Sequence, residues 1–532
     1  MRTIYINGQV FTGDMPLQEA FVVEDGRFLL VGSSEQAREM MRPGDECVDL
    51  EGRFVMSGFI DSHMHMIGCG QSLLHARLDQ HTGSIRELVE YFAEFARQNP
   101  PKQGGWIVGR GWNQDYFTDE HRMPDRHDLD KVSTEYPVAA VRCCGHCLVV
   151  NSKVIEMLGV TADTAAPEGG TIGVENGEPD GRFFDNAMDP IYQMIPDPGK
   201  EEIKDIIRAA CRRLNACGIT GCHTDDYSQP WRTVNEAYRE LEESGELTVR
   251  VYEQSNFQNV DSLREFVEEG NVTGAGSDLF RIGPLKLLGD GALGARTAFL
   301  SQPYADEPDN YGLPVFTQET LTEMIGYAHA HGMQAAVHAI GDGCLDRVLN
   351  AYEQALKDQP RENHRHGIVH CQITRPDQLE RMAKMKLHIY AQTIFIDYDS
   401  RIVRERVGDE LAESSYNWKT LMNMGLTVSN GTDCPVELPD ALRGIQCAVT
   451  RASLRGDTPT YLPEQAFTVE EALRSYSAMS AYGSFEEEKK GLIQSGMLAD
   501  FVVLEENPFE VKPERIAEIP VYATYLGGKR VY

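Results

Sequence analysis

Two histidines stand one residue apart, His63-Met64-His65, directly after a largely apolar run at 54–61. In extended backbone, residues i and i+2 point to the same side, so both imidazoles can meet one cation. Two further pairs of this spacing, His329/His331 and His364/His366, show that spacing alone is weak evidence. Position separates them. His63 and His65 follow an apolar run, whereas the other pairs precede one and read as helix-end or loop histidines, a place that suits an imidazole. Four more residues stand where an apolar run turns polar: Lys286 in LKLLGDG, His338 in AAVHAIGD, His370 in GIVHCQ and Asp433 in VSNGTDCPV. Singly, each reads as a hydrogen-bonded residue near a strand end. As six groups on one rim they form a ligand set. Four imidazoles with a carboxylate suit a borderline divalent cation, zinc first, with iron, manganese or cobalt as alternatives.

Such a set needs a scaffold that brings distant segments to one face. Short β-branched or apolar runs alternate with longer amphipathic stretches, the pattern of repeated βα units around a parallel sheet. Strands are expected at 59–61, 221–223, 249–253, 285–288, 335–338, 367–370, 388–392 and 426–429, and helices at 201–217, 231–244, 318–331, 345–357, 376–385 and 417–424. Eight strands with helices between them predict an α/β fold, a (β/α)8 barrel of TIM type, whose strand C-terminal ends share the functional face. The first ~55 residues read instead as short strands and turns (3–7, 10–12, 20–24, 28–31, 47–49, 53–56). The C-terminal end looks alike, with strands at 501–504, 521–526 and 529–532 and a Gly527-Gly528 turn. One small β-sandwich domain assembled from both termini, 1–55 plus 490–532, is therefore expected, beside a barrel domain of 56–72 plus 199–489. Roughly 150 residues separate the first two barrel strands, far more than a βα connection needs. Residues 73–198 are read as an insertion with its own strands at 106–109 and 138–142 and a glycine-rich loop and hairpin over 168–181.

The chain has 532 residues, 41% hydrophobic and 25% charged, which is ordinary globular usage. Lys and Arg total 50 against 82 Asp and Glu, a formal charge of −32 that repels phosphate backbones and anionic membranes. A small molecule is the expected partner, with no nucleic acid and no membrane. The amino terminus alternates like a strand and lacks the apolar core of a signal peptide. No apolar stretch approaches the ~18 residues of a membrane helix. A cytoplasmic setting is expected, where the 12 cysteines stay reduced and the Asn271-Val272-Thr273 sequon is silent. A homodimer is the default assembly.

Two motifs compete. Cys144-Gly145-His146-Cys147 has the C-x-x-C spacing of a thiol-disulfide oxidoreductase, but such a motif should open a helix, and Leu148-Val149-Val150 follows. Gly289-Asp290-Gly291-Ala292-Leu293-Gly294 fits G-x-G-x-x-G, yet Pro303, Pro308 and Pro314 follow rather than a helix leading to a second strand. A catalytically silent member of the fold is a third reading, and the intact six-residue set counts against it.

The ordered set His63-x-His65, Lys286, His338, His370 and Asp433 resembles the amidohydrolase superfamily, and within it the branch of N-substituted formamide deformylase-like enzymes. The resemblance runs through GFIDSHMH, RGWNQD, GHCLVVNS, GITGCHTDD, LKLLGDGALGARTA, HAIGDG, VHCQ, GTDCPV and GLIQSGMLADFVVL, nearly the whole chain. It implies a distorted (β/α)8 barrel with a terminal β-sandwich, and a centre of one or two metal ions. By the same resemblance Lys286 is N-carboxylated and bridges two ions, with His63 and His65 on the first and His338 and His370 on the second. An unmodified lysine leaves a substrate or structural cation and a single ion. The implied reaction is hydrolysis of a non-peptide carbon–nitrogen bond by metal-bound hydroxide, with Asp433 as general base and then acid. Linear or N-acyl amides are favoured over cyclic amides and deamination. Trp112, Asp115, Arg142, His146, His223, Asp290 and Arg296 occupy family-like motifs or strand ends and are the substrate-lining candidates, with the insertion that carries Trp112 and His146 as wall or lid.

Overall fold

The computed structural model describes residues 2–81, 83–101, 105–120, 122–143, 147–167 and 170–532. Eight parallel strands follow one another in a single sheet, in chain order: β1 (Phe59–Met64), β2 (Ile219–Thr224), β3 (Arg250–Asn256), β4 (Phe280–Leu288), β5 (Ala335–Ala339), β6 (Gly367–His370), β7 (His388–Ala391) and β8 (Val428–Asn430). All eight coincide with expected strands, because each is a short β-branched or apolar run buried on both faces, the signature of a covered parallel sheet. Register sets the level of the site. Leu288 pairs with His338, Ala339 with His370, and Ala391 with Asn430, so the C-terminal ends of β4 to β8 lie at one height. The loop after β8 comes back to β1, where Asp433 N–H donates to His63 O at 2.8 Å and His65 N–H to Cys434 O at 2.8 Å.

The helices lie where the amphipathic stretches predict them. Gln318–Ala330 is capped by the Thr317 hydroxyl accepting from Thr320 N–H, and it buries Leu321, Met324, Ile325 and Ala328 on one stripe. Pro376–Met385 begins and ends as expected, whereas Asp342–Asp358 starts earlier than its apolar pattern suggests. The helices Val260–Glu268, Val403–Ala412 and Ala441–Thr450 lie outside the ranges predicted from sequence.

The chain termini build two facing sheets. One holds Arg27–Gly32, Ala20–Glu24, Arg2–Ile6 and Glu46–Asp49; the other holds Gln9–Val10, Phe54–Ser57, Phe501–Leu504, Val521–Leu526 and Lys529–Arg530. Tyr5, Phe21, Phe28, Val55, Phe501 and Val503 fill the space between them. The rings interlock, Tyr5 stacking on Phe21 at 4.7 Å and Phe501 on Tyr525 at 4.3 Å. A buried Arg250–Asp500 pair, Nε to Oδ2 2.6 Å, ties this layer to β3.

Met1–Cys69 with Ile207–Tyr532 forms one compact unit and Gly70–Ile206 a second. The second unit has its own six-stranded sheet, in the order Gly170–Glu175, Glu178–Asp185, Cys147–Val150, Val138–Arg142, Ile107–Trp112 and Ala76–Arg77. Alternation along Val138–Arg142 splits its core in two, with Val138 and Ala140 facing Leu88, Phe92 and Trp112, and Ala139 and Val141 facing Val154 and Ile191. Among the described residues, no helix is long and apolar enough to cross a membrane.

Candidate metal centre

β1 delivers His63, which is 1% exposed, and His65, just beyond the end of the strand, is partly open. Their outer nitrogens are fixed. His63 Nδ1 lies 2.6 Å from Gln254 Oε1, and His65 Nδ1 lies 3.0 Å from the Asp225 carbonyl. Both partners only accept, so each Nδ1 carries the proton and each Nε2 keeps its lone pair inward. Those lone pairs meet a carboxylate: Asp433 Oδ1 is 3.4 Å from His63 Nε2 and 3.2 Å from His65 Nε2. The ligand atoms of this trio lie within 4.8 Å of one another. Three electron-rich atoms in contact require a cation between them, either a proton or a metal.

The protein backbone holds Asp433 in place. The residue takes a left-handed φ of +57°, and the turn before it is clamped by Asp61, which accepts from Thr432 N–H at 3.0 Å and from His63 N–H at 3.2 Å. Gly431 is needed here, because a Cβ would stand 2.5 Å from His63 N. Burial alone would raise the Asp433 carboxyl, but the His65 hydrogen bond and the neighbouring imidazoles hold it well below the ordinary range. Burial likewise opposes charge on His65, yet Asp433 carries that group up to about 9. His63 and His370, fully buried, are pushed far below the usual imidazole value.

The other expected ligands surround this trio. His370 takes a left-handed φ of +74°. Val369 faces the barrel interior with Ala336 and Tyr390, so strand alternation would turn His370 outward; the left-handed backbone redirects it. Its ring then lies 5.6 Å from that of His63 and 4.4 Å from that of His338. His338 Nε2 faces the Gly291 carbonyl at 3.1 Å and Asp290 Oδ1 at 3.2 Å, which leaves Nδ1 as its free donor atom. Lys286 is fully buried on β4, with its nearest carboxylate oxygen, Asp225 Oδ2, at 3.6 Å. Among the described residues Lys286 Nζ has no hydrogen-bond partner. Unsatisfied buried donors of this kind are costly. Imidazole and carboxylate atoms converging beside the orphaned Lys286 amine fit a divalent cation of the zinc type.

The substrate candidates fall in different places. Asp290 accepts from the N–H groups of Phe299, Ile340 and Gly341 and faces His338, so it anchors the loop after β4 and orients that imidazole. Arg296 is engaged with Asp306, Nη2 to Oδ2 2.7 Å, and Arg406 joins the same carboxylate; this makes Arg296 a brace within the loop. His223 is fully buried with its ring against Tyr252 and Tyr390, among the side chains that fill the barrel interior. In the second unit, Trp112 is fully buried and donates Nε1–H to Ala140 O at 2.9 Å, while Arg142 joins Gln114, Asn113 and Asp115. His146 and Cys144 lie outside the described residues, and Cys147 opens a strand rather than a helix. The glycine run at 289–294 leads into turns, with the next helix at Gln318–Ala330. His329, His364 and His366 form a chain of contacts: His366 Nδ1 accepts from Ala335 N–H, His366 Nε2 meets His329 Nδ1 at 2.8 Å, and His364 Nδ1 accepts from His366 N–H. Sequence reasoning missed Gln254, Asp225 and Asp61, whose signal was a polar residue inside or just beyond an apolar strand.

A profile of the amidohydrolase family matches residues 46–532. The chain is 33% identical over 545 residues to a Bacillus subtilis (strain 168) protein carrying the name amidohydrolase YtcJ, covering 100% of this chain and 99% of that protein. It is 24% identical over 543 residues to the N-substituted formamide deformylase of Arthrobacter pascens, covering 98% of this chain and 97% of that one. A crystal structure of a metal-dependent hydrolase from Pyrococcus furiosus superposes with a TM-score of 0.80 at 30% identity, over 96% of this chain and 100% of that chain.

Proposed function

The chain belongs to the amidohydrolase family, and on that premise we propose that it hydrolyses a carbon–nitrogen amide bond of a small molecule, an N-substituted formamide or a related N-acyl amine. The observation that carries this reading is the trio of His63 Nε2, His65 Nε2 and Asp433 Oδ1, whose lone pairs face one another because Gln254 and the Asp225 carbonyl fix the outer Nδ1–H groups. His63 and His65 would hold one divalent ion and His338 and His370 a second, with Lys286, carboxylated at Nζ, between them. Zinc is the first choice, and iron, manganese or cobalt are alternatives. Such an ion supplies Lewis acidity, lowering the pKa of water and polarising an acyl oxygen.

The chain's own groups do the rest. Asp433 Oδ accepts the proton of the attacking water and returns it to the departing amine nitrogen, the exchange of roles expected of a general base. Asp290 keeps His338 in orientation, and Gln254 does so for His63. Asp433→Asn is expected to retain its metal and lose activity by about 100-fold or more. Full activity in that variant, with metal content measured, removes Asp433 from this role.

A further inference from the structure

β2 ends at Thr224, and the residue after it touches two of the candidate ligands. The Asp225 carbonyl takes the His65 Nδ1–H at 3.0 Å, and the Asp225 N–H donates to Met64 O at 2.9 Å, so its backbone is tied to the end of β1. Its side chain reaches β3 and β4. Oδ2 accepts from Asn256 Nδ2–H at 3.2 Å and lies 3.6 Å from Lys286 Nζ, and Asn256 and Lys286 are paired in register between those two strands. The adjacent carboxylate is used elsewhere: Asp226 accepts from Ile67 N–H at 2.8 Å and from the Tyr238 hydroxyl at 2.6 Å. Asp225 is 4% exposed and Lys286 fully buried. At 3.6 Å the two are an ion pair without a hydrogen bond, which agrees with the orphaned Nζ. A lysine that takes up carbon dioxide keeps one N–H, and a buried N–H needs an acceptor. Asp225 Oδ2, held in place by Asn256, is the acceptor at hand.

We propose that Asp225 is a positioning residue for Lys286: its Oδ2 accepts the one N–H that the carboxylated side chain keeps, and so fixes rotation about the Cε–Nζ bond. The carboxylation balances simply. The neutral amine adds to the carbon of carbon dioxide, a nitrogen–carbon bond forms as one carbon–oxygen π bond breaks, and one Nζ proton leaves to water, giving a carbamate anion. The inference rests on the carboxylated-lysine reading above and deepens it, since one residue then orients His65 through its carbonyl and Lys286 through its carboxylate. A counter-charge role makes the opposite demand. An aspartate that merely neutralises a lysine ammonium would hold the amine protonated and oppose carboxylation, and its charge rather than its acceptor oxygen would matter.

The test equilibrates zinc-loaded protein with carbon-13 bicarbonate and reads the carbamate carbon by NMR and the zinc per chain by elemental analysis. The native chain, Asp225→Leu and Asp225→Asn are compared, and all three keep the backbone carbonyl that meets His65. The carbamate signal per chain should fall by about tenfold or more in Asp225→Leu, with a loss of bound zinc. It should return in Asp225→Asn, whose amide oxygen still accepts while Asn256 donates to it. Asp225→Ala gives the same comparison if the leucine variant folds poorly. Lys286→Met alone and combined with Asp225→Leu should hold the same zinc, because the aspartate acts through the lysine. A further loss in the double variant overturns the proposal, as does a carbamate signal as strong in Asp225→Leu as in the native chain, or one lost equally in Asp225→Leu and Asp225→Asn. A native chain that holds its zinc and gives no carbamate signal overturns the carboxylated-lysine reading and this inference with it, an outcome distinct from a carbamate that is indifferent to Asp225.

Discussion

At the scale of single residues, the site is organised by which nitrogen of each imidazole carries its proton. Gln254 and the Asp225 carbonyl each take an Nδ1–H, so His63 and His65 present lone pairs to Asp433. Groups that orient a ligand in this way tune metal affinity almost as strongly as the ligand itself. Gln254→Leu should therefore weaken zinc binding by about 10- to 100-fold while leaving the fold intact, measured by competition with a chelator. Unchanged affinity would mean that the Gln254 contact does not orient His63. The spacing of His63 and His65 was legible because a strand repeats every second residue. Gln254 was not, because a lone amide within an apolar run carries no pattern, and only the folded structure shows that it meets His63. Trp112 shows the converse. Its indole N–H is answered within its own core by Ala140 O, a contact between separate strands that no local motif displays.

Elements decide where those residues stand. The expected strands coincide with the observed ones because covered parallel strands are short, apolar and β-branched. What the pattern could not show was the left-handed backbone at His370 and Asp433, which aims both side chains inward. The β8 turn is equally exacting. Gly431→Ala places a methyl 2.5 Å from His63 N, and overpacking of this kind costs about 1–3 kcal/mol. Thermal melting should show that loss together with reduced metal content, and a variant that melts and binds metal normally would refute the close approach. On the opposite end of the barrel, burial holds His364 down to about 4 and His366 far below its ordinary value. Both fold as neutral rings, so the unfolded chain binds more protons. Their contribution is complete above pH 6.5 and is lost as pH falls from there toward 4. The drop in melting temperature from pH 7.5 to 5 should be smaller in His364→Gln; an identical drop would show that this ring does not titrate on unfolding.

The molecule as a whole joins a barrel that carries the ligands to a sandwich that closes the two chain ends together. Phe501 is fully buried where those ends meet, and Phe501→Ala should cost about 3–5 kcal/mol, seen as a lower denaturation midpoint. Zinc content in the fraction that remains folded should be unchanged, since the site is built on barrel strands; parallel loss of metal would tie the sandwich directly to the site. The charge of −32 argues against polyanionic partners and leaves the chemistry open, which only the rim residues address. The central claim is that lone pairs on His63, His65 and Asp433 face one another around a metal ion rather than a proton. Elemental analysis of the purified protein, before and after chelation and zinc readdition, tests it most directly when paired with hydrolysis of a panel of formamides and N-acyl amines. At least about one equivalent of metal per chain is expected, with activity lost on chelation and restored by zinc or manganese. Less than about half an equivalent, with no uptake and no activity on readdition, would contradict it.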